Sequence, residues 1–470
     1  MAKYNMVLRG NFLSIPTDCP NRNERMGWSG DISVFSKSAT YLMDANLFLR
    51  RHLLAMRDVQ SSDGRFTDVA PLGGGFGGTL WGSAGIVVAW ETYRQYGDKQ
   101  LLNEHYNSMK KYLQFLESKV NKNTGILNEG PLGDWLSPEG NKNDNTLFWM
   151  AYYAYDLEIL SKAADILGKT EEAKVYQDRM EEVKKAWNDI YVDKNSHRTI
   201  KSGTKTGFFG PPNEKEVSGK TDKGQLINTQ ASYAIPLALN IVNDTNKPYI
   251  IKYLKETIQN KSMDDNAVVL PEFSLMTGFI GTASISQALS ENGSNDIAYR
   301  LLEQKHYPSW LYSVVNGATT IWERLNSYTT ENGFGGNNSM NSFNHYSFGA
   351  VASWMYNYSL GIQRDPEVAA FKKFILNPTP DPNHIIKNAK GYYDCMYGRI
   401  KSEWRIDGGK IIYKTTVPPN TSAKIYIPAK SIDQICESGK SINNWKGIQI
   451  DKNQIIIELF SGSYSFEVKE

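Results

Sequence analysis

Carboxyl groups do acid–base chemistry in pairs, one giving a proton and the other acting on water or on carbon. The chain has 50 acidic residues among 470, so surroundings must select the pair. The densest setting is Asp18-Cys19-Pro20-Asn21-Arg22-Asn23-Glu24-Arg25-Met26-Gly27-Trp28-Ser29-Gly30-Asp31. It gathers carboxylates, two arginines and an indole in one short segment punctuated by Pro and Gly. Charges in that number are costly to bury unless paired, and a polar, rigid, aromatic-bearing loop suits a hydroxylated ligand. Glu24, between Arg22 and Arg25, has two readings: an ion pair that holds the loop, or a reacting carboxyl.

A second setting is Gly317-Ala318-Thr319-Thr320-Ile321-Trp322-Glu323-Arg324-Leu325-Asn326-Ser327. Glu323 stands beside an indole in a small-residue run, just ahead of a Gly/Asn-rich loop; a functional role is favoured over a cap or an ion pair. Asn341-Ser342-Phe343-Asn344-His345-Tyr346-Ser347 opens a helical stretch, where a lone histidine is more often structural than catalytic. Gly133-Asp134-Trp135-Leu136 is either a ligand contact or a turn with a surface-packed indole.

Other chemistries fit less well. There is no Gly-x-Ser-x-Gly elbow ahead of a helix and no His-Glu-x-x-His. The six histidines are scattered, and Cys19, Cys395 and Cys436 form neither a disulfide framework nor a zinc spacing. Gly73–Gly78 follows no strand and lacks the Lys-Ser/Thr of a phosphate loop. No metal and no other cofactor is expected.

The elements that must carry these residues are helical from about Ile32 to about Phe374. Two kinds alternate. Amphipathic stretches place Met109, Tyr112, Leu113, Leu116 and Val120, and again Tyr176, Met180, Val183, Trp187 and Ile190, at helical spacing. The others are apolar or small nearly all round: Val34–Phe48, Trp81–Tyr93, Thr146–Leu157, Ala231–Ile241, Leu275–Leu289 and His345–Tyr356. A helix without a polar face should be enclosed by others. Six enclosed helices interleaved with exposed ones predict an (α/α)6 barrel. The long loops Ser61–Gly78, Asn121–Asn145, Lys201–Lys223 and Tyr328–Asn344 would wall a pocket over its axis. At Leu376-Asn377-Pro378-Thr379-Pro380-Asp381-Pro382 the composition shifts. Beyond it a period of two, as at Ile425 and Ile427 and at Tyr464, Phe466 and Val468, predicts a small antiparallel β-sandwich. The expected division is a barrel over 1–378 and a sandwich over 379–470.

Hydrophobic and charged fractions of 40% and 22% are those of a globular protein of more than one domain. The net charge of +2, without a basic block, leaves no footprint for nucleic acid or an anionic membrane. The aromatic share is high, with 11 Trp and 27 Tyr, which is compatible with sugar binding although core packing accounts for most rings. Residues Met1 to Ser14 lack the pattern of a signal peptide. As written the chain is expected in the cytoplasm, unless a longer secreted or periplasmic precursor exists.

Asp18-Cys19-Pro20-x-Arg22-x-Glu24-Arg25-x-Gly27-Trp28-x-Gly30-Asp31 resembles the signature loop of the bacterial α-L-rhamnosidases of glycoside hydrolase family 78. So do Arg9-Gly10-Asn11-Phe12-Leu13-Ser14-Ile15-Pro16-Thr17, Gly133-Asp134-Trp135, Trp322-Glu323-Arg324 and Asn341-Ser342-Phe343-Asn344-His345. Gly398-Arg399-Ile400-x-Ser402-x-Trp404 and Val417-Pro418-Pro419-Asn420-Thr421 are similar to that family's closing β-domain. The resemblance runs in order along the whole chain. It implies an (α/α)6 catalytic barrel, an inverting mechanism and release of non-reducing terminal L-rhamnose from glycans or glycosylated natural products. By motif position it makes Glu24 the general acid and Glu323 the general base. It puts Asp18, Arg22 and Asp31 on the sugar hydroxyls, and Trp28, Trp81, Trp135 and His345 around the same pocket.

Further expectations follow from that assignment. Glu24 should hold its proton through desolvation or nearby carboxylates, so Arg22 and Arg25 are expected to pair with Asp18 or Asp31 instead. Glu323 should stay ionised, roughly 6.5–9.5 Å from Glu24 with a water between. The family commonly carries β-domains ahead of the barrel, so the chain reads as a fragment or a shortened member. It often has a second acidic residue where Asn23 stands. Two alternatives remain: another (α/α)6 glycosidase with a different sugar, or a catalytically silent carbohydrate-binding fragment.

Overall fold

The structure, a computed structural model, describes residues 2–204, 222–334 and 341–469. The parts of the predicted loops Lys201–Lys223 and Tyr328–Asn344 that fall on 205–221 and 335–340 lie outside the described residues.

Helices with one buried stripe alternate with helices buried nearly throughout. The first kind comprises Ala2–Asn11, Asn46–Asp58, Lys99–Lys119, Thr170–Tyr191, Lys247–Gln259 and Asn295–Glu303. In Lys99–Lys119 the stripe is Leu102, Tyr106, Met109, Leu113 and Leu116, with Lys and Gln on the other faces; burying it is what keeps so polar a sequence helical. The second kind comprises Ser29–Leu42, Ala84–Tyr96, Asn145–Ile166, Gln230–Ala238 and Phe279–Glu291, then a last stretch Ser347–Ala350, Val351–Trp354 and Met355–Ser359. Asn145–Ile166 packs along Thr170–Tyr191, and Phe279–Glu291 along Gln230–Ala238. This is the six-hairpin pattern expected of an (α/α)6 barrel.

Side chains start these helices. Asp144 accepts the Thr146 N–H, and Thr229 and Ser232 form a reciprocal capping box ahead of Gln230–Ala238, satisfying N–H groups that a first turn leaves open. One predicted helix is corrected. Val34–Phe48 is broken, because Ser29–Leu42 ends before Met43-Asp44-Ala45 and Asn46–Asp58 starts after it. Leu47 and Phe48 therefore belong to the next, outer helix.

The chain divides into two compact units: 1–39, 45–90 and 99–351 in one, and 40–44, 91–98 and 352–470 in the other. The second unit holds two sheets. One has the order Lys440–Ser441, Ile435–Glu437, Gly462–Lys469, Lys410–Val417, Gly398–Asp407, Asn388–Cys395. The other runs Gln449–Asp451, Gln454–Leu459, Ser422–Pro428, Lys373–Leu376, Ile362–Arg364. All pairings are antiparallel except Lys373–Leu376 with Ser422–Pro428. Trp404, Tyr413, Phe466 and Val468 of the first sheet and Ile425, Ile427, Ile455 and Ile457 of the second are buried, the alternation of a sandwich. Tyr464, predicted with them, is half-buried. Two strands precede the Pro-rich stretch; at three and four residues they are too short to show a period.

Candidate active site

The residues singled out from the sequence collect at the N-terminal ends of the enclosed helices. Asp31 lies in the first turn of Ser29–Leu42, Trp81 in the turn Thr79–Gly82 ahead of Ala84–Tyr96, Trp135 beside the start of Phe279–Glu291, and His345 just before Ser347–Ala350. Such ends present unpaired N–H groups and a partial positive charge.

Arg22 is the hub. Its Nη1 lies 2.5 Å from Glu323 Oε2, and its Nη2 lies 2.5 Å from Glu24 Oε2 and 3.3 Å from Glu323 Oε1 and from Asp18 Oδ2. One guanidinium thus joins two glutamates 299 residues apart in the chain. Trp28 Nε1 donates to Glu24 Oε1 at 2.6 Å. Glu323 also accepts from the Ser342 N–H at 3.0 Å, while its own N–H donates to the Ser342 carbonyl, so its segment is sewn to the one carrying His345. Asp18 accepts from the Met26 N–H and the Cys19 thiol, folding the loop back on itself. The Glu24 side chain is 26% exposed and that of Glu323 5%, so the two carboxyls differ sharply in burial.

Asp31 and His345 form a second pair, Oδ1 to Nε2 at 3.2 Å, with the Ser347 hydroxyl donating to the same Oδ1. Burial holds His345 down to about 3, aided by the Arg22 charge, and burial followed by the Asp18 charge pushes Asp31 well above the carboxylate range. Both shifts favour the neutral forms of the pair. Burial raises Asp18 to about 6, with Glu24 adding and Cys19, Met26 and Arg22 opposing. It also raises Glu323, against Arg22, Arg324 and the Ser342 N–H.

Trp81 is 3% exposed and lodged between glycines. A Cβ on Gly30 would come 2.4 Å from its Cε2, and one on Gly77 2.4 Å from its Cγ. The Trp135 carbonyl accepts from the Phe279 N–H, but among the described residues its half-buried indole makes no hydrogen bond or ring contact with the Arg22 cluster. Asp134 caps Phe279–Glu291, accepting from the N–H groups of Gly278 at 2.7 Å and Gly281 at 2.8 Å.

Two expectations are overturned. Glu24 and Glu323 were expected roughly 6.5–9.5 Å apart with a water between; an oxygen of each lies 2.5 and 3.3 Å from the same Arg22 Nη2, so those oxygens are closer than that range and the guanidinium bridges them. Arg22 was expected to turn from Glu24 toward Asp18 or Asp31; it grips both glutamates and reaches Asp18 only at 3.3 Å. The reason is geometric: a guanidinium fork meets two carboxylates at once, while Asp31 is occupied by His345 and Ser347. Arg25 is exposed and pairs with neither aspartate. Ser342 and Ser347 were missed. Both lie in or beside the segment singled out for His345, and serine is too common to have marked them.

Asp18, Cys19 and Glu24 offer ligand atoms within 4.8 Å of one another. Arg22 Nη2, touching both carboxylates, already supplies the positive charge that a metal ion would bring.

The bacterial alpha-L-rhamnosidase 6 hairpin glycosidase domain matches residues 2–359, and the bacterial alpha-L-rhamnosidase C-terminal domain matches residues 361–441. An alpha-L-rhamnosidase of Streptomyces avermitilis is 34% identical over 466 residues, covering 98% of this chain and 40% of its own. One of Formosa agariphila is 34% identical over 473 residues, covering 98% and 46%. Among solved structures, Streptomyces avermitilis alpha-L-rhamnosidase complexed with L-rhamnose aligns with a TM-score of 0.83 at 32% identity, over 100% of this chain and 41% of that one. The alpha-L-rhamnosidase from Dictyoglumus thermophilum gives 0.83 at 29%, over 100% and 49%. The chain spans less than half the length of these relatives.

Proposed function

The chain belongs to the bacterial α-L-rhamnosidases, and on that premise we propose that it is an inverting exo-glycosidase releasing non-reducing terminal L-rhamnose from α-rhamnosides. The observation that carries the reading is the meeting of Glu24 and Glu323 on the two ends of one guanidinium. Glu24, the more exposed carboxyl, gives its proton to the glycosidic oxygen as the C1–O bond breaks. Glu323, the more buried carboxyl, takes a proton from the water that forms the new C1–O bond on the opposite face. An acid cannot keep a 2.5 Å guanidinium contact while protonating an oxygen, so Arg22 turns to the sugar hydroxyls when substrate enters, with its hold on Glu323 retained.

Asp18 and Asp31 bind hydroxyls, and Trp28, Trp81, Trp135 and His345 wall the sugar. An apolar wall at C5 favours the methyl of rhamnose over a hydroxymethyl, whose hydroxyl would lose its water partners. The test is incubation with an aryl α-L-rhamnoside, following the first product anomer by NMR. β-L-rhamnose supports inversion; the α-anomer refutes it. Glu24→Gln and Glu323→Gln should each lower kcat by about 10²-fold or more. An unchanged rate in either removes that residue's role. Turnover of glucosides or fucosides alone would favour the alternative sugar.

A further inference from the structure

The Gly-rich segment 73–78 is not needed to hold the two glutamates, yet it carries one large exposed ring. Phe76 is 40% exposed, against 3% for Trp81. It sits edge-on to Trp28, with ring centroids 5.7 Å apart and an interplanar angle of 72°. Trp28 is the residue that donates to Glu24.

The segment is pinned on both sides of that ring. Asp68 donates its N–H to the Gly74 carbonyl at 2.9 Å and accepts the Gly77 N–H on Oδ2 at 2.8 Å. Asp68 is itself fixed to the catalytic loop, because its carbonyl accepts both the N–H and the hydroxyl of Ser29, next to Trp28. Gly75, at φ +104°, would put a Cβ 2.4 Å from that of Asp68. The glycines let the backbone lie flat against Asp68 and Trp81, and Phe76 is the single side chain it offers outward.

The leaving oxygen must come within hydrogen-bond reach of the acid. An aglycone held there lies beside Glu24, and Phe76 is the ring packed on the indole that donates to Glu24. We propose that Phe76, with Trp28, forms an aromatic platform for the aglycone and selects rhamnosides whose leaving group is a flat aromatic ring. This rests on the role given to Glu24 above. Aromatic rings pair edge-to-face or offset at such distances, contributing about 0.5–1.5 kcal/mol beyond burial, a gain that a small alkyl aglycone cannot collect.

The experiment compares 4-nitrophenyl and methyl α-L-rhamnoside with the full chain and with Phe76→Ala and Phe76→Tyr, assaying released rhamnose. For Phe76→Ala the ratio of kcat/KM, aryl over methyl, should fall about five- to tenfold, mostly through KM, and Phe76→Tyr should restore it. An unchanged ratio, or an equal kcat loss on both substrates, overturns the proposal, the latter showing that the ring acts only on Trp28. Calorimetric binding of the two glycosides to Glu323→Gln with and without Phe76→Ala reads the same preference without turnover. If the wild-type chain cleaves neither substrate, the hydrolase reading fails, while a Phe76-dependent preference in binding upholds the platform and its absence removes it.

Discussion

At the scale of single residues, the decisive feature is a positive charge between two carboxyls of unequal burial. Desolvation favours the protonated form of Glu323 and the guanidinium favours the carboxylate. In the base role proposed for it, Glu323 is inactive once protonated, so activity should be lost as pH falls through its pKa. Without Arg22 only Arg324 and the Ser342 N–H oppose the burial. Arg22→Gln should therefore move the acid limb of kcat/KM upward by about one pH unit or more, besides weakening substrate binding. A pH–rate profile checks this, and a limb that stays put or moves down would show that Arg22 does not govern Glu323. Glu323 stood out because it lies beside an indole in a small-residue run, and Glu24 because it lies between two arginines in a Gly- and Pro-bearing loop that also carries Trp28. The contact through Arg22 was not legible, since local pattern carries no distance between positions 22 and 323, and the need for a proton on Glu24 argued for turning the arginines toward the aspartates.

At the scale of elements, the site depends on where helices begin. Asp134 closes the start of Phe279–Glu291 with two buried hydrogen bonds, and Phe279 packs against His345 with ring centroids 5.2 Å apart. Asp134→Ala would strand two N–H groups and should cost about 1–3 kcal/mol, read as a lower urea midpoint by circular dichroism at 222 nm. Asp134→Asn, which keeps one acceptor, should cost less; equal midpoints for all three would deny the capping role. The enclosed helices were readable from sequence because a missing polar face leaves only burial as an explanation. Their limits were less so. The break after Leu42 falls on Met43-Asp44-Ala45, which has no Gly or Pro to mark it, and the carboxylate of Asp134 showed its neighbouring indole in sequence but not the distant helix end it serves. The C-terminal alternation survived in Ile425, Ile427, Phe466 and Val468, whereas Ile362–Arg364 and Lys373–Leu376 offered too few residues to alternate.

Over the whole molecule, buried ionisable groups should make stability depend on pH in a direction that can be worked out. Asp68 and Glu139 are each raised to about 7, in both cases first by burial. A carboxyl whose folded pKa exceeds its unfolded one binds more protons when folded, so its favourable contribution is present at lower pH and disappears as pH rises through the folded value. The buried His52, His105 and His345 are held down to about 3, 4 and 3 and act oppositely. They weaken the fold as pH falls below the unfolded histidine pKa of about 6.5. Between pH 6.5 and 8 the histidines are therefore nearly silent, and Asp68 and Glu139 act together with Asp31 and Asp156, which burial raises well above the ordinary value. Unfolding free energy should fall by about 1–2 kcal/mol or more across that window, measured by urea titration at 222 nm. Glu139→Gln should lessen the slope by taking one of these groups out of the titration. A flat profile in the unaltered chain would mean that these carboxyls ionise at ordinary values in solution, and a rising one that groups with depressed pKa outweigh them.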